Sequence, residues 1–170
     1  MIRKLALSVL AAGLLASPAL AAGKLTVATS KGCSFDITLR ADLAPKHVAQ
    51  IAKLAAAGFY DGIVFHRVID GFMAQTGDPT GTGTGGSQEA DINAEFTPEH
   101  FARGTVGMAR SQDPNSANSQ FFVMFADGGF LDGQYTVWGQ VDKTGMACVD
   151  KIERGEPPAN PDKMTKVTVN

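Results

Sequence analysis

Phe65-His66-Arg67-Val68-Ile69-Asp70-Gly71-Phe72-Met73-Ala74-Gln75-Thr76-Gly77-Asp78 sets one permanent cation, one amide and several large apolar side chains within a short β-like run. In a regular strand, alternation puts Arg67 on a face with Phe65 and Ile69, away from His66, and puts Met73 with Gln75. Asp70-Gly71 reads as a turn or bulge, which leaves the side taken by Phe72 open. Arginine stays protonated and so cannot serve as a base, but it donates hydrogen bonds in a fixed fork. No usual nucleophile stands among these residues. The mixture suits a site that grips an apolar group and polarises one atom of it, and it suits bond-breaking poorly. A lone arginine in a strand usually covers its apolar neighbours with its stem, and an aromatic–methionine cluster is usually core. Two features weigh against that bland reading. Gln75 lies close by, and the adjacent pair Phe121-Phe122 must present one ring to each face of a strand.

Outward from this stretch the chain reads mostly as strands, over residues 24–30, 34–39, 63–69, 72–75, 104–108, 120–125, 135–141 and 166–169. The first two form a hairpin through Lys31-Gly32. Many short strands separated by glycine and proline point to a mainly β fold, a sandwich or a barrel. Two helices interrupt them. Residues 45–57 carry Val48, Ile51, Ala52 and Ala55 on one stripe, with Pro45 at the start and Gly58 past the end. Residues 146–153 place Met146, Val149 and Ile152 on one side, with Gly155 as the stop. Residues 157–161 are proline-rich and read as an extended connector. No internal repeat or dividing linker appears, so residues 22–170 form one domain.

Residues 1–21 have the three parts of an export signal: basic Met1-Ile2-Arg3-Lys4, an apolar run, and the small-x-small site Ala19-Leu20-Ala21. The apolar run falls short of the roughly 20 residues that span a bilayer, so cleavage after Ala21 and no stable membrane insertion are expected. A net charge of −2, with scattered Lys and Arg, favours neither nucleic acid nor an anionic membrane surface. Two cysteines, Cys33 and Cys148, stand far apart. Export permits a bridge, but a turn position for Cys33 and a helix position for Cys148 favour two separate thiols. No Cys/His cluster has metal-ligand spacing.

Two other motifs carry little. His66 has no partners for a catalytic triad, and no Gly-x-Ser-x-Gly elbow occurs. Gly81-Thr82-Gly83-Thr84-Gly85-Gly86 matches Gly-x-Gly-x-x-Gly literally, but it opens into Ser87-Gln88-Glu89 without a helix stripe. A dinucleotide loop requires that helix, so a surface loop is the better reading.

Residues 65–78 together with Ser119-Gln120-Phe121-Phe122 closely resemble the two signature segments of the cyclophilin-type peptidyl-prolyl isomerases. The likeness continues through Gly107-Met108-Ala109-Arg110 and Phe130-Leu131-Asp132-Gly133, in matching order across the whole mature chain. The resemblance implies an eight-stranded antiparallel closed barrel with a helix over each open end. It implies cis–trans isomerisation of X-Pro bonds in unfolded or folding polypeptides, without a cofactor or metal. Carried over by position, Arg67 matches the catalytic arginine, and Gln75 the glutamine that helps to hold the substrate and the arginine. Phe72, Met73, Phe122 and Leu131 match the proline pocket, and Ala109 and Arg110 line the peptide groove. Phe130 and Tyr135 complete the substrate-binding set, at positions where many eukaryotic relatives carry Trp and His. The missing Trp implies weak cyclosporin binding. Arg110, where many relatives have Asn, is similar to the bacterial branch, and with the export signal this implies the periplasm, or secretion as the alternative. A monomer is the default expectation. The rival reading is a barrel that binds proline-containing chains, or acts as a chaperone, without catalysis.

Overall fold

A computed structural model describes residues 23–170, and the segment read as an export signal lies outside the described residues. The elements follow as β1 (Lys24–Thr29), β2 (Ser34–Leu39), α1 (Pro45–Ala56), β3 (Arg67–Ile69), β4 (Met73–Thr76), β5 (Thr105–Met108), β6 (Phe121–Met124), a 3₁₀ turn (Gly129–Leu131), β7 (Val137–Val141), α2 (Lys143–Val149) and β8 (Met164–Val169). Every ladder is antiparallel, in the order β3-β4-β6-β5-β7-β2-β1-β8. The end strands β3 and β8 share no ladder. The sheet is therefore an open, curled half-barrel rather than the closed ring expected. Irregular backbone joins its two ends instead: Gly62 N–H donates to the Met164 carbonyl at 2.7 Å, Met164 to Ile63 at 2.9 Å and Phe65 to Asp162 at 2.8 Å. These bonds explain why a continuous strand over 63–69 does not form. The chain pairs across the seam first, passes His66, and only then enters β3.

The sheet has two apolar faces. One carries Leu25, Val27, Phe35, Ile37, Val68, Ala74, Val106, Phe121, Val123 and Trp138, and both helices pack on it through Val48, Ile51, Leu54, Met146 and Val149. Leu54, not Ala52, completes the α1 stripe. Helix α1 has Ala44 at its N-cap, with no side-chain acceptor. Glu95 comes from a distant loop to accept the Lys46 and His47 amides, each at 3.1 Å, and the His47 ring at 2.7 Å. Helix α2 begins three residues before the expected 146 because the Asp142 carboxylate accepts the Gly145 amide at 2.7 Å. The opposite face of the sheet carries a second, smaller apolar cluster: Met73, Phe101, Phe122, Met124, Leu131 and Val137.

Cys33 and Cys148 are bridged, which corrects the reading of two separate thiols. The turn before β2 lies against α2, so their Cα atoms approach to 5.9 Å, within the range a disulfide spans. Thr29 Oγ1 lies 3.6 Å from one sulfur and 3.7 Å from the other. The proline-rich run after Gly155 is not an extended connector either. Gly155 pairs with both Val68 and Pro158, so the chain folds back on itself at 156–157.

Candidate active site

Antiparallel register builds the site. Arg67 faces Gln75 across β3 and β4, Gln75 faces Phe122 across β4 and β6, and Phe122 faces Gly107 across β6 and β5. Opposed residues share a face, so one row runs from cation to amide to aromatic ring to an empty glycine. Gly107 is required there. A Cβ at this position would run into the rings of Phe122 and Phe101, the latter at 2.6 Å. Without it, Phe122 lies flat against Phe101, ring centroids 5.8 Å apart. Met73 joins the same face two residues before Gln75, as alternation requires. Phe121 turns to the helix-covered face, so the adjacent phenylalanines do divide between the two sides. Phe72 escapes parity because residues 70–72 form the hairpin turn, with Gly71 at φ 69°. Its ring reaches the site from that turn.

The expectation that Phe65 shares a face with Arg67 fails. Phe65 packs in the helix-covered core, while Arg67 and His66 both line the cavity, because β3 begins only at Arg67. This cavity has a volume of about 670 Å³. Of the residues expected at the site, Arg67, Phe72, Met73, Gln75, Ala109, Arg110, Phe122, Leu131 and Tyr135 line it. Phe130 does not. It stands at the rim, 66% exposed, its ring centroid 5.4 Å from that of Phe72. Sequence reasoning missed His66, the Gly81–Gly83 stretch, Glu156 and Pro157. Nothing in the local pattern around 156 and 157 marks them, because they reach the cavity only through the pairing of Gly155 with Val68.

Hydrogen bonds orient the polar groups. Gln120 Nε2 donates to the Gly83 and Gly85 carbonyls at 3.1 and 2.9 Å, which turns its oxygen toward Gln75. Gln75 Nε2 donates to that oxygen at 2.9 Å, so the Gln75 oxygen faces Arg67, 3.5 Å from Nη1. Arg67 Nε donates to Glu156 Oε1 at 2.6 Å. Arg110 stacks 4.4 Å over the Tyr135 ring and donates to the Gln134 and Ser111 carbonyls, each at 2.9 Å. His66 is only 6% exposed, and burial lowers its pKa, which leaves a neutral ring beside the arginine. Among the described residues no group of three His, Cys, Asp or Glu could hold a metal ion.

The glycine-rich loop is already filled by a side chain of this protein. Asp78, buried beneath it, accepts the amides of Thr80, Gly83 and Gly85 at 2.7, 2.6 and 3.1 Å, and the Thr80 hydroxyl at 2.8 Å. Burial alone would raise the Asp78 pKa, but these bonds outweigh it and hold it at about 2. A carboxylate occupies the backbone donors that a phosphate would need, which removes the nucleotide reading on physical grounds.

The family model described as cyclophilin type peptidyl-prolyl cis-trans isomerase matches residues 24–169. The chain belongs to this family. Among cyclophilin relatives, it is 58% identical over 149 residues to a probable peptidyl-prolyl cis-trans isomerase of Brucella suis, covering 78% of this chain and 76% of that one. It is 44% identical over 130 residues to peptidyl-prolyl cis-trans isomerase-like 1 of Aspergillus oryzae, covering 73% of this chain and 78% of the other. Among solved cyclophilins it is similar to AquaCyp293 from Hirschia baltica, with a TM-score of 0.77, 30% identity, and coverage of 85% of this chain and 73% of that one. It is also similar to a Cryptosporidium parvum cyclophilin solved in the presence of the dipeptide Ala-Pro, with a TM-score of 0.78, 27% identity, and coverage of 86% and 98%. This cyclophilin is accordingly a peptidyl-prolyl cis-trans isomerase.

Proposed function

We propose that Arg67 accelerates X-Pro isomerisation by donating a hydrogen bond to the prolyl nitrogen in the twisted transition state. The observation that carries this reading is the cross-strand row that sets the guanidinium in one cavity with the apolar side chains of Phe72, Met73, Phe122 and Leu131. A peptide bond resists rotation by roughly 18–20 kcal/mol because nitrogen shares its lone pair with the carbonyl. At X-Pro bonds both isomers lie close in energy and exchange over tens to hundreds of seconds. Midway through the turn the nitrogen becomes pyramidal and regains its lone pair. A fixed cation favours that form over either planar one, which is differential binding of the transition state. Phe72, Met73, Phe122 and Leu131 hold the proline ring. Gln75, Ala109 and Arg110 restrain the flanking chain, Tyr135 closes the side wall, and Phe130 covers the rim. One charge-assisted hydrogen bond contributes about 1.5–3 kcal/mol, or roughly 10- to 200-fold in rate.

The same reading extends to the cell. The chain is exported and cleaved after Ala21, works as a monomer in the periplasm, and accelerates the folding of proline-containing polypeptides there. The Cys33–Cys148 bridge supports an oxidising compartment, and Phe130 in place of a larger indole supports weak cyclosporin binding. The test is the isomerisation rate of an X-Pro tetrapeptide with wild type and Arg67→Ala. A fall of roughly 10- to 200-fold is expected. Equal rates would remove Arg67 from its role, and an inactive wild type would leave a binding module.

A further inference from the structure

Glu156 makes the shortest contact to the arginine of the site, 2.6 Å from Arg67 Nε. Its place does not depend on a free loop. Gly155, the residue before it, exchanges both backbone hydrogen bonds with Val68, each at 2.8 Å, and Val68 is the residue after Arg67. The chain then turns back sharply, and a side chain at Gly155 would meet the Pro158 and Pro157 backbone at 2.5 and 2.7 Å. At its base the loop is held by Asp162, which accepts the Glu153 amide at 2.8 Å. Two neighbouring backbone anchors therefore bring one carboxylate to one edge of the guanidinium.

We propose that Glu156 is a positioning residue that fixes the direction in which Arg67 presents its fork to the substrate. Arg67 has five donors on one plane. Glu156 takes the Nε donor, at the side, and the Gln75 oxygen stands 3.5 Å from Nη1. Nη2 has no hydrogen-bond partner among the described residues. Holding the plane at Nε leaves the Nη2 edge of the fork free for a substrate in the cavity that Arg67 and Glu156 both line. The Arg67 side chain is 43% exposed, and at such exposure an unanchored arginine samples many rotamers. Ordering it before the substrate arrives favours the chemical step rather than ground-state binding. Salt screens a simple surface ion pair and a neutral partner abolishes it, but the geometric role survives in a neutral acceptor, which separates the two.

The inference rests on Arg67 being the group that meets the prolyl nitrogen. The experiment measures kcat and KM on an X-Pro tetrapeptide for wild type, Glu156→Ala, Glu156→Gln, Arg67→Ala and the Arg67→Ala/Glu156→Ala pair. It also records the Arg67 Nε–H resonance by NMR. Glu156→Ala should lower kcat roughly three- to tenfold with KM nearly unchanged and broaden the Nε–H signal. Glu156→Gln should restore most of both, because its amide oxygen still accepts from Nε. The double variant should match Arg67→Ala alone. A Glu156→Ala enzyme with wild-type kcat, beside an impaired Arg67→Ala, overturns the inference and leaves the site reading standing. An undiminished Glu156→Ala effect in the Arg67→Ala background also overturns it. An Arg67→Ala enzyme as fast as wild type removes the site reading itself, and the inference falls with it.

Discussion

Replacing the bridged pair with Cys33→Ser and Cys148→Ala removes the one disulfide among the described residues. The linked positions are 115 apart in sequence. Closing a loop of that size withdraws about 16 cal/mol/K from the unfolded chain, which is about 4–5 kcal/mol at 25 °C. Single domains hold about 5–15 kcal/mol in all, so the variant should remain folded at room temperature but with much of its margin gone. With a urea slope of roughly 2 kcal/mol/M, the unfolding midpoint should fall by about 2 M. Wild type unfolded in dithiothreitol should follow the same curve. The loss should stay away from the chemistry, because neither the turn before β2 nor α2 contributes a wall to the cavity. Tetrapeptide isomerisation measured well below the transition should therefore stay within about twofold of wild type. Coincident urea curves for oxidised wild type and the double variant would refute the stabilising role. A variant that keeps its midpoint and loses its activity would refute the separation of bridge and site.

Two further outcomes follow from the floor and the loop of the site. Gly107→Ala should destabilise the fold by about 1–3 kcal/mol, since the added methyl meets two packed rings; its displaced Phe122 should raise KM for the tetrapeptide more than it lowers kcat, and an unchanged KM would show that Phe122 does not hold the ring. Asp78 has its carboxyl pKa held at about 2, against about 3.9 in an unfolded chain. The stability it contributes is thus fully present above about pH 4 and is lost as the pH falls toward 2. Asp78→Asn should cost about 2 kcal/mol in urea unfolding at pH 7, and the gap from wild type should narrow at pH 3; a gap that stays constant with pH would sink the account of the loop.

The parts of the fold that were legible in the sequence are those whose burial alternates simply. In β1 and β2 every second side chain is buried against the helices, so period-two reading gives Ser34–Leu39 to the residue. The site row was half legible. Alternation places Met73 with Gln75 and divides Phe121 from Phe122, but it says nothing of which strand lies beside which. Parity failed for Phe65 because seam bonds, not a ladder, govern residues 62–65. The start of α2 was missed because apolar spacing begins at Met146, whereas the helix is set by the Asp142 cap. The disulfide was not legible, since it depends on α2 packing against the turn before β2. Glu156 and Pro157 are invisible for the same reason. Their relation to Arg67 is made by a pair of backbone bonds between Val68 and Gly155, residues far apart in the sequence.

The row from Arg67 to Gly107 lies on the side of the sheet turned away from both helices. The other face is occupied by the larger apolar core and the two helices packed on it. A peptide that reaches the cavity beside this row therefore does not pass through the core beneath the helices.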